Sequence, residues 1–349
     1  MKSLSREEMI SVISGNGGAD RVPMIYDMWV DSGRFGEYAP IIQSFLNTFP
    51  SDVQRIGLMV PDIYTAPADE PSYRWLAKDK VPDENNKALD AQTPIESWDE
   101  LDEILADFPN GDYAKLWQID VEETGQYRLF HWWYWLFERH WSLRGMENAL
   151  TDYYLYPEET HRFYDKITEF YCKITENAKK YYKADGIFIS DDIGTQKGTF
   201  FSKGIFDEFF KPYYKRVIDC AHSHGMHVWL HCCGDIELFL PGLIEIGLDV
   251  LHPIQKYTMK EKNIADKFGD KICIFSGFDV QQTIPYGTPE DVKKELRFLI
   301  DTYARKDGRL ILTMGNAVTP DCPPESLFAL MNETYTYGKE KMTKLKSQK

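Results

Sequence analysis

The chain has 349 residues, 43% hydrophobic and 27% charged, with 40 Lys+Arg against 55 Asp+Glu and a net charge of −15. That is an ordinary globular composition, which excludes global disorder, and its acidic balance argues against nucleic acid or an anionic membrane as a general partner. No apolar run approaches the roughly 18 residues of a membrane-spanning helix, and the opening Met-Lys-Ser-Leu-Ser-Arg-Glu-Glu lacks a signal peptide's apolar stretch, so a cytoplasmic protein is expected.

Residues 4–15 read as a short helix with Ser5 as N-cap. Arg21–Met28 reads as a first strand, Ser32-Gly33-Arg34-Phe35 as a turn, 37–48 as a helix and Arg55–Val60 as a second strand. Residues 63–95 are rich in Pro, Asp, Asn and Lys. They predict an irregular insertion over a barrel mouth, with a small hairpin around Tyr73–Val81. Tyr64, Tyr73 and Trp75 need somewhere to pack, which argues against a free linker. Thr93-Pro94-Ile95-Glu96 is expected to open a helix. Leu129–Trp141 is the most aromatic stretch. It reads mainly as core, with Trp133 in the remaining role of a wall for a flat, apolar substrate. Pro157–Lys183 is a long amphipathic helix.

From Gly186 the pattern is regular. Strands at 186–192, 227–233, 249–255, 272–279 and 310–315 alternate with helices at 203–224, 236–246, 258–268 and 288–306, and a last helix opens at Pro323-Pro324-Glu325. This spacing predicts a parallel sheet. With the earlier units the count reaches eight, a (β/α)8 TIM barrel with an N-terminal helical extension. One domain over 1–349 is expected, with 339–349 a frayed tail.

In such a barrel, catalytic side chains stand at the C-terminal strand ends. Asp27, Asp62, Asp191, Asp192, His231, Cys233, His252, Gln255, Asp279 and Asn316 all end apolar runs. In Leu230-His231-Cys232-Cys233-Gly234, strand alternation puts His231 and Cys233 on one face and Cys232 on the other. An imidazole and a thiol converging before a glycine turn is half a zinc site. Six cysteines in a cytosolic chain are expected to be free or metal-bound rather than paired. Cys172 and Cys220 fall within helices and read as core, as does Cys273 at a strand's start. Cys322, after the last strand, is the best further thiolate on the functional face.

These segments resemble the uroporphyrinogen decarboxylase superfamily, which holds the decarboxylase and zinc- and corrinoid-dependent methyltransferases. The resemblance rests on Arg21-Val-Pro-Met with Ser32-Gly33-Arg34-Phe35, on Leu143-Arg144-Gly145-Met146-Glu147-Asn148, and on Ser190-Asp191-Asp192-Ile193-Gly194. His231-Cys232-Cys233-Gly234, Ser276-Gly277-Phe278-Asp279 and Gly315-Asn316 through Pro323-Pro324-Glu325 complete it. His231-x-Cys233-Gly234 is similar to the methyltransferases' His-x-Cys-Gly. Two departures stand out. The decarboxylase opens with two propionate-binding arginines; Arg34 matches the second, but Val30 stands at the first. Its closing Gly-His is Gly315-Asn316 here, where the methyltransferases carry their third zinc thiolate. Cys322 or Asp192 would then complete the metal site, or metal is absent.

The resemblance implies a methyltransferase that moves a methyl group between a small methylated compound, an aryl methyl ether among the candidates, and a corrinoid protein or a thiol. Zinc would sit on His231, Cys233 and Cys322. Asp192, Asp191 and Asn316 are the expected catalytic residues. Arg34, Asp62, His252, Gln255, Asp279 and Trp133 are the expected substrate-binding ones. The alternatives are a metal-free decarboxylase of a carboxylated aromatic or tetrapyrrole, and a corrinoid-binding protein without chemistry of its own.

Overall fold

The computed structural model describes residues 1–76, 81–82, 92–106 and 108–347. Among these, seven parallel strands form one curled sheet in chain order: β1 (Val53–Gly57), β2 (Tyr127–Trp132), β3 (Gly186–Ser190), β4 (His227–His231), β5 (Val250–His252), β6 (Cys273–Phe278) and β7 (Leu310–Met314). The eighth stave is the expected first strand, and it is far shorter than Arg21–Met28. Met24 alone bridges Leu312. The Leu312 N–H donates to the Pro23 carbonyl, the Ile25 N–H donates back to Leu312, and the Asp52 N–H donates to Met24. The segment thus touches both sheet edges and closes the barrel. Pro23 has no N–H, so it cannot extend the ladder.

Apart from β1, whose Gln54 and Arg55 are half-buried and Gly57 exposed, the strands are buried nearly throughout, as parallel strands covered by helices are. That explains why β2 hid in the aromatic run: its inward and outward residues are equally apolar, and no alternation marks it. Inside the barrel, Phe188, Trp229 and Phe275 pack with ring centroids 5.3–6.2 Å apart. Two residues beyond Trp229 on the same face comes His231.

Helix α1 (Arg6–Ser14) carries the Ser5–Glu8 capping box. It seals the N-terminal end of the barrel, where Ser14 reaches His227 and the Arg309 N–H donates to Val12. Helix α2 (Ala39–Thr48) follows a 3-10 stretch at Ser32–Tyr38. Helix α3 (Leu101–Ala106) is entered through a 3-10 turn at Trp98 capped by Ser97. The helix expected at Thr93-Pro94-Ile95-Glu96 therefore starts later. Ile95 is buried and donates its N–H to Leu143, while Arg144 donates to the carbonyls of Ile95 and Glu96.

Helices α4 (Phe137–Arg144), α5 (Met146–Leu155) and α6 (Pro157–Tyr182) lie between β2 and β3. The Leu143–Asn148 motif is structural here: buried Arg144 grips Asp152 through two bonds of 2.9 Å. Helix α7 (Lys211–Ser223), entered through a π turn at Phe206–Phe210, then α8 (Leu240–Glu245), α9 (Glu261–Phe268) and α10 (Pro289–Tyr303) complete the alternation. Helix α11 (Pro324–Ser347) corrects the expected fraying at 339–349 as far as Ser347. Met342 is buried, and Lys341 and Lys346 pair with Asp301 and Asp20, so the tail has a docking face.

Of the expected hairpin at Tyr73–Val81, residues 77–80 lie outside the described residues. Arg74 bridges Asp62 in parallel rather than antiparallel sense. Tyr73 and Trp75 are buried, so the start of the insertion packs as expected.

Candidate metal and active site

Register brings the site together. Ser190 on β3 pairs with His231 on β4, and His231 pairs with His252 on β5. Two residues beyond the strand ends on either side, Asp192 and Cys233 come together across β3 and β4. The Cys233 N–H donates to Asp192 Oδ1 at 2.7 Å. Cys233 Sγ lies 3.4 Å from His231 Nε2, and Nε2 lies 3.8 Å from Asp192 Oδ1. These three ligand atoms all fall within 4.8 Å of one another. Donors on one tetrahedral zinc stand about 3.3–3.8 Å apart, given bond lengths of 2.0–2.3 Å. The donor set is one zinc takes, and the two separations from His231 Nε2 fall in that range.

Cys322 stays outside this group. It is buried in a turn that closes on Thr319, with its sulfur 3.9 Å from the Thr319 hydroxyl. Asn316 does face the site, but its amide oxygen accepts the Ala317 N–H, which leaves the Nδ2 donor 3.9 Å from Cys233 Sγ. The loop after β4 needs its glycine. At Gly234 (φ 87°) a Cβ would meet the Gly194 carbonyl carbon at 2.4 Å.

His252 lies behind the site, against His231 and outside the donor group. It is fully buried, stacked 5.0 Å from the Trp29 ring, with Nε2 2.9 Å from the Met314 carbonyl and Nδ1 2.7 Å from His231 Nδ1. A carbonyl only accepts, so His252 Nε2 carries a proton. Burial holds the His252 pKa well below its ordinary value, which keeps the ring neutral and leaves Nδ1 as an acceptor. His231 then donates from Nδ1, and its Nε2 lone pair points toward Cys233 and Asp192.

The remaining expected residues divide clearly. Asp191 is fully buried and accepts the N–H groups of Leu136, Phe137 and Glu138 and the Tyr214 hydroxyl. It fixes the start of α4 to β3, and no lone pair is left over for catalysis. Asp279 likewise caps the helical turn at Thr283–Tyr286 through Gln281 and Thr283. Gln255 accepts the Gly234 N–H and braces the loop after β4. Cys233, Gln255, Asp279 and Asn316 share the wall of a cleft of about 60 Å3. Trp133 roofs His231 edge-on at 6.1 Å. Arg34 is exposed, and Asp62 binds the Tyr64 and Thr65 N–H groups.

Three further residues were not visible to sequence reasoning. Trp29 packs 5.5 Å from the His231 ring. Lys256 lines the cleft and pairs with Glu295. Glu138 accepts the Ser190 hydroxyl, and burial, with Asp192 and Asp191 nearby, pushes its carboxyl well up. None ends an apolar run. An acidic residue inside the aromatic stretch was the only signal for Glu138. Burial, with the Asp192 charge adding, also pushes the Cys233 thiol up to about 12, so it is protonated at neutral pH unless a metal holds it.

An α/β barrel with His, Cys and Asp donors at its C-terminal mouth defines the class. The family model described as Uroporphyrinogen decarboxylase (URO-D) matches residues 141–337, more than half of the chain, and the chain belongs to this family. The matched part contains Asp192, His231 and Cys233. A methylated-thiol–coenzyme M methyltransferase of Methanosarcina mazei is 27% identical over 161 residues, 44% of this chain and 40% of the relative. A uroporphyrinogen decarboxylase of Vesicomyosocius okutanii is 26% identical over 84 residues, 24% of each chain. These alignments span less than half the length of the curated relatives. Among solved structures, a methyltransferase from Methanosarcina mazei superposes with a TM-score of 0.62 at 13% identity, covering 95% of this chain and 98% of that one. It shares the fold. No described helix is long and apolar enough to cross a membrane.

Proposed function

We propose that the protein is a methyltransferase of this family that holds zinc on His231, Cys233 and Asp192 and moves a methyl group between a small methylated compound and a corrinoid protein or a thiol. The observation that carries the reading is the convergence of a His, a Cys and an Asp donor within 4.8 Å of one another, with both separations from His231 Nε2 in the range of a tetrahedral ion. Bound zinc would act as a Lewis acid on the substrate heteroatom or keep a thiol ionised. His231 is oriented for this by His252, and Asn316 offers its N–H to the Cys233 sulfur. Asp192 is the third donor in place of Cys322, and a fourth position is left for substrate.

The cleft favours a methylthio-sized group over an aryl methyl ether, since about 60 Å3 is under half of the ~150 Å3 that admits benzene. The uroporphyrinogen reading fits poorly. Val30 is buried where the decarboxylase resemblance requires an arginine, and Arg34 is the one matching cation.

Metal analysis of the purified protein and of three variants tests the proposal. Wild type is expected to carry one zinc per chain. Cys233→Ser should lose it, Asp192→Asn should bind more weakly, and Cys322→Ser should keep it. Wild-type protein that neither contains nor takes up zinc overturns the reading.

A further inference from the structure

A second pocket, of about 550 Å3, lies over the C-terminal ends of β1 and β2, walled by Met59, Pro61, Ile63, Ala66, Tyr73 and Tyr134. Arg139, from the first turn of α4, lines it too. Arg139 is 3% exposed, yet among the described residues no carboxylate stands within ion-pair reach of it. Among the described residues its Nε has no partner, and Nη1 makes a long 3.4 Å contact to the Ser142 hydroxyl. The guanidinium lies 4.4 Å over the Trp75 ring and 5.1 Å over the Tyr134 ring, and it donates to the Tyr171 phenol oxygen. Asp62 shares the pocket wall but is held by the Tyr64 and Thr65 N–H groups.

A buried guanidinium has five donors and cannot shed its charge. The Asp62 and Glu138 carboxyls feel its charge but neither forms a direct ion pair with it, and the cation–π contacts offset the cost of burial only in part. We propose that this pocket binds a small organic acid, with its carboxylate on Arg139 and its apolar body between Tyr73, Tyr134 and Ile63. The volume lies within the range of small-molecule sites. The aromatic walls leave room for a ring or a short alkyl chain. Asp62 at the rim disfavours a second negative charge on the same ligand, so a monocarboxylate fits best. The site is distinct from the metal group, which ends β3 and β4, and does not depend on it.

Calorimetric titration with benzoate and with its neutral isostere benzamide tests the proposal on the unmodified protein, with and without prior chelator treatment. Benzoate is expected to bind at least about 10-fold more tightly than benzamide, the usual value of a charge-assisted contact, and equally well after chelation. Arg139→Met and the pocket-filling Ala66→Phe should each abolish the preference. If Arg139→Met fails to fold, the benzoate–benzamide comparison on wild type and Ala66→Phe still decide. The proposal is overturned if the two probes bind alike, if neither binds at ~10 mM, or if benzoate binding disappears with the metal or survives Ala66→Phe.

Discussion

The Nδ1 atoms of His231 and His252 stand 2.7 Å apart. At that distance one proton lies between them, and the Met314 carbonyl on the far side of His252 decides whose it is. His252 therefore acts as a positioning residue, holding His231 in the tautomer that leaves Nε2 free for a metal. Loss of such a partner typically weakens metal binding 10–100-fold. His252→Phe keeps the stacking on Trp29 but removes the acceptor, and its zinc affinity should fall by about that factor in chelator competition. An unchanged affinity in folded His252→Phe would refute the relay.

The Cys233 thiol, pushed up to about 12, must lose its proton when a metal binds. Zinc added to metal-free protein at pH 7 in weak buffer should release about one proton per ion. Cys233→Ser should release none. Equal release from both proteins would place the metal elsewhere.

Asp191 is predicted to matter for stability rather than chemistry. Burial pushes its carboxyl up to about 6, and four donors surround it. Asp191→Ala strands three backbone N–H groups at the start of α4. A loss of roughly 2–4 kcal/mol in denaturant unfolding is expected, with zinc content of the folded protein retained. Intact stability with lost metal would reverse the assignment.

Acid should destabilise the fold through three histidines away from the metal group. Burial lowers His131 to about 4 and also lowers His140 and His227. An unfolded histidine takes up its proton near pH 6.5. The folded ones do so only at lower pH, so stability is full above about 6.5 and declines as pH falls toward the folded values. For His131 the slope approaches about 1.4 kcal/mol per pH unit between about 6.5 and 4, and His140 and His227 add in the same direction. Chemical denaturation between pH 7.5 and 5 measures it, and a flat profile would contradict the burial of these rings.

Much of this molecule is legible along the chain. The Ser5 and Thr288 caps, the β/α alternation after Gly186, and the shared face of His231 and Cys233 all follow from periods and capping chemistry that act over a few residues. The glycine after Cys233 is legible for the same reason, because only it tolerates the turn. What tertiary structure decided is which distant residues meet. Asp192 joins the donor group, and Cys322 does not, because parallel register sets Ser190 beside His231 while the Thr319 turn folds Cys322 inward. His252 becomes a support because β5 pairs one strand further on. Asp191 and Asp192 are neighbours in sequence but point apart, one into the α4 terminus and one toward Cys233. Sheet register and side-chain hydrogen bonds couple residues tens of positions apart, and a local pattern carries no record of them. Local pattern determined the strands after Gly186 and the shared face of His231 and Cys233; packing of strand on strand determined the site.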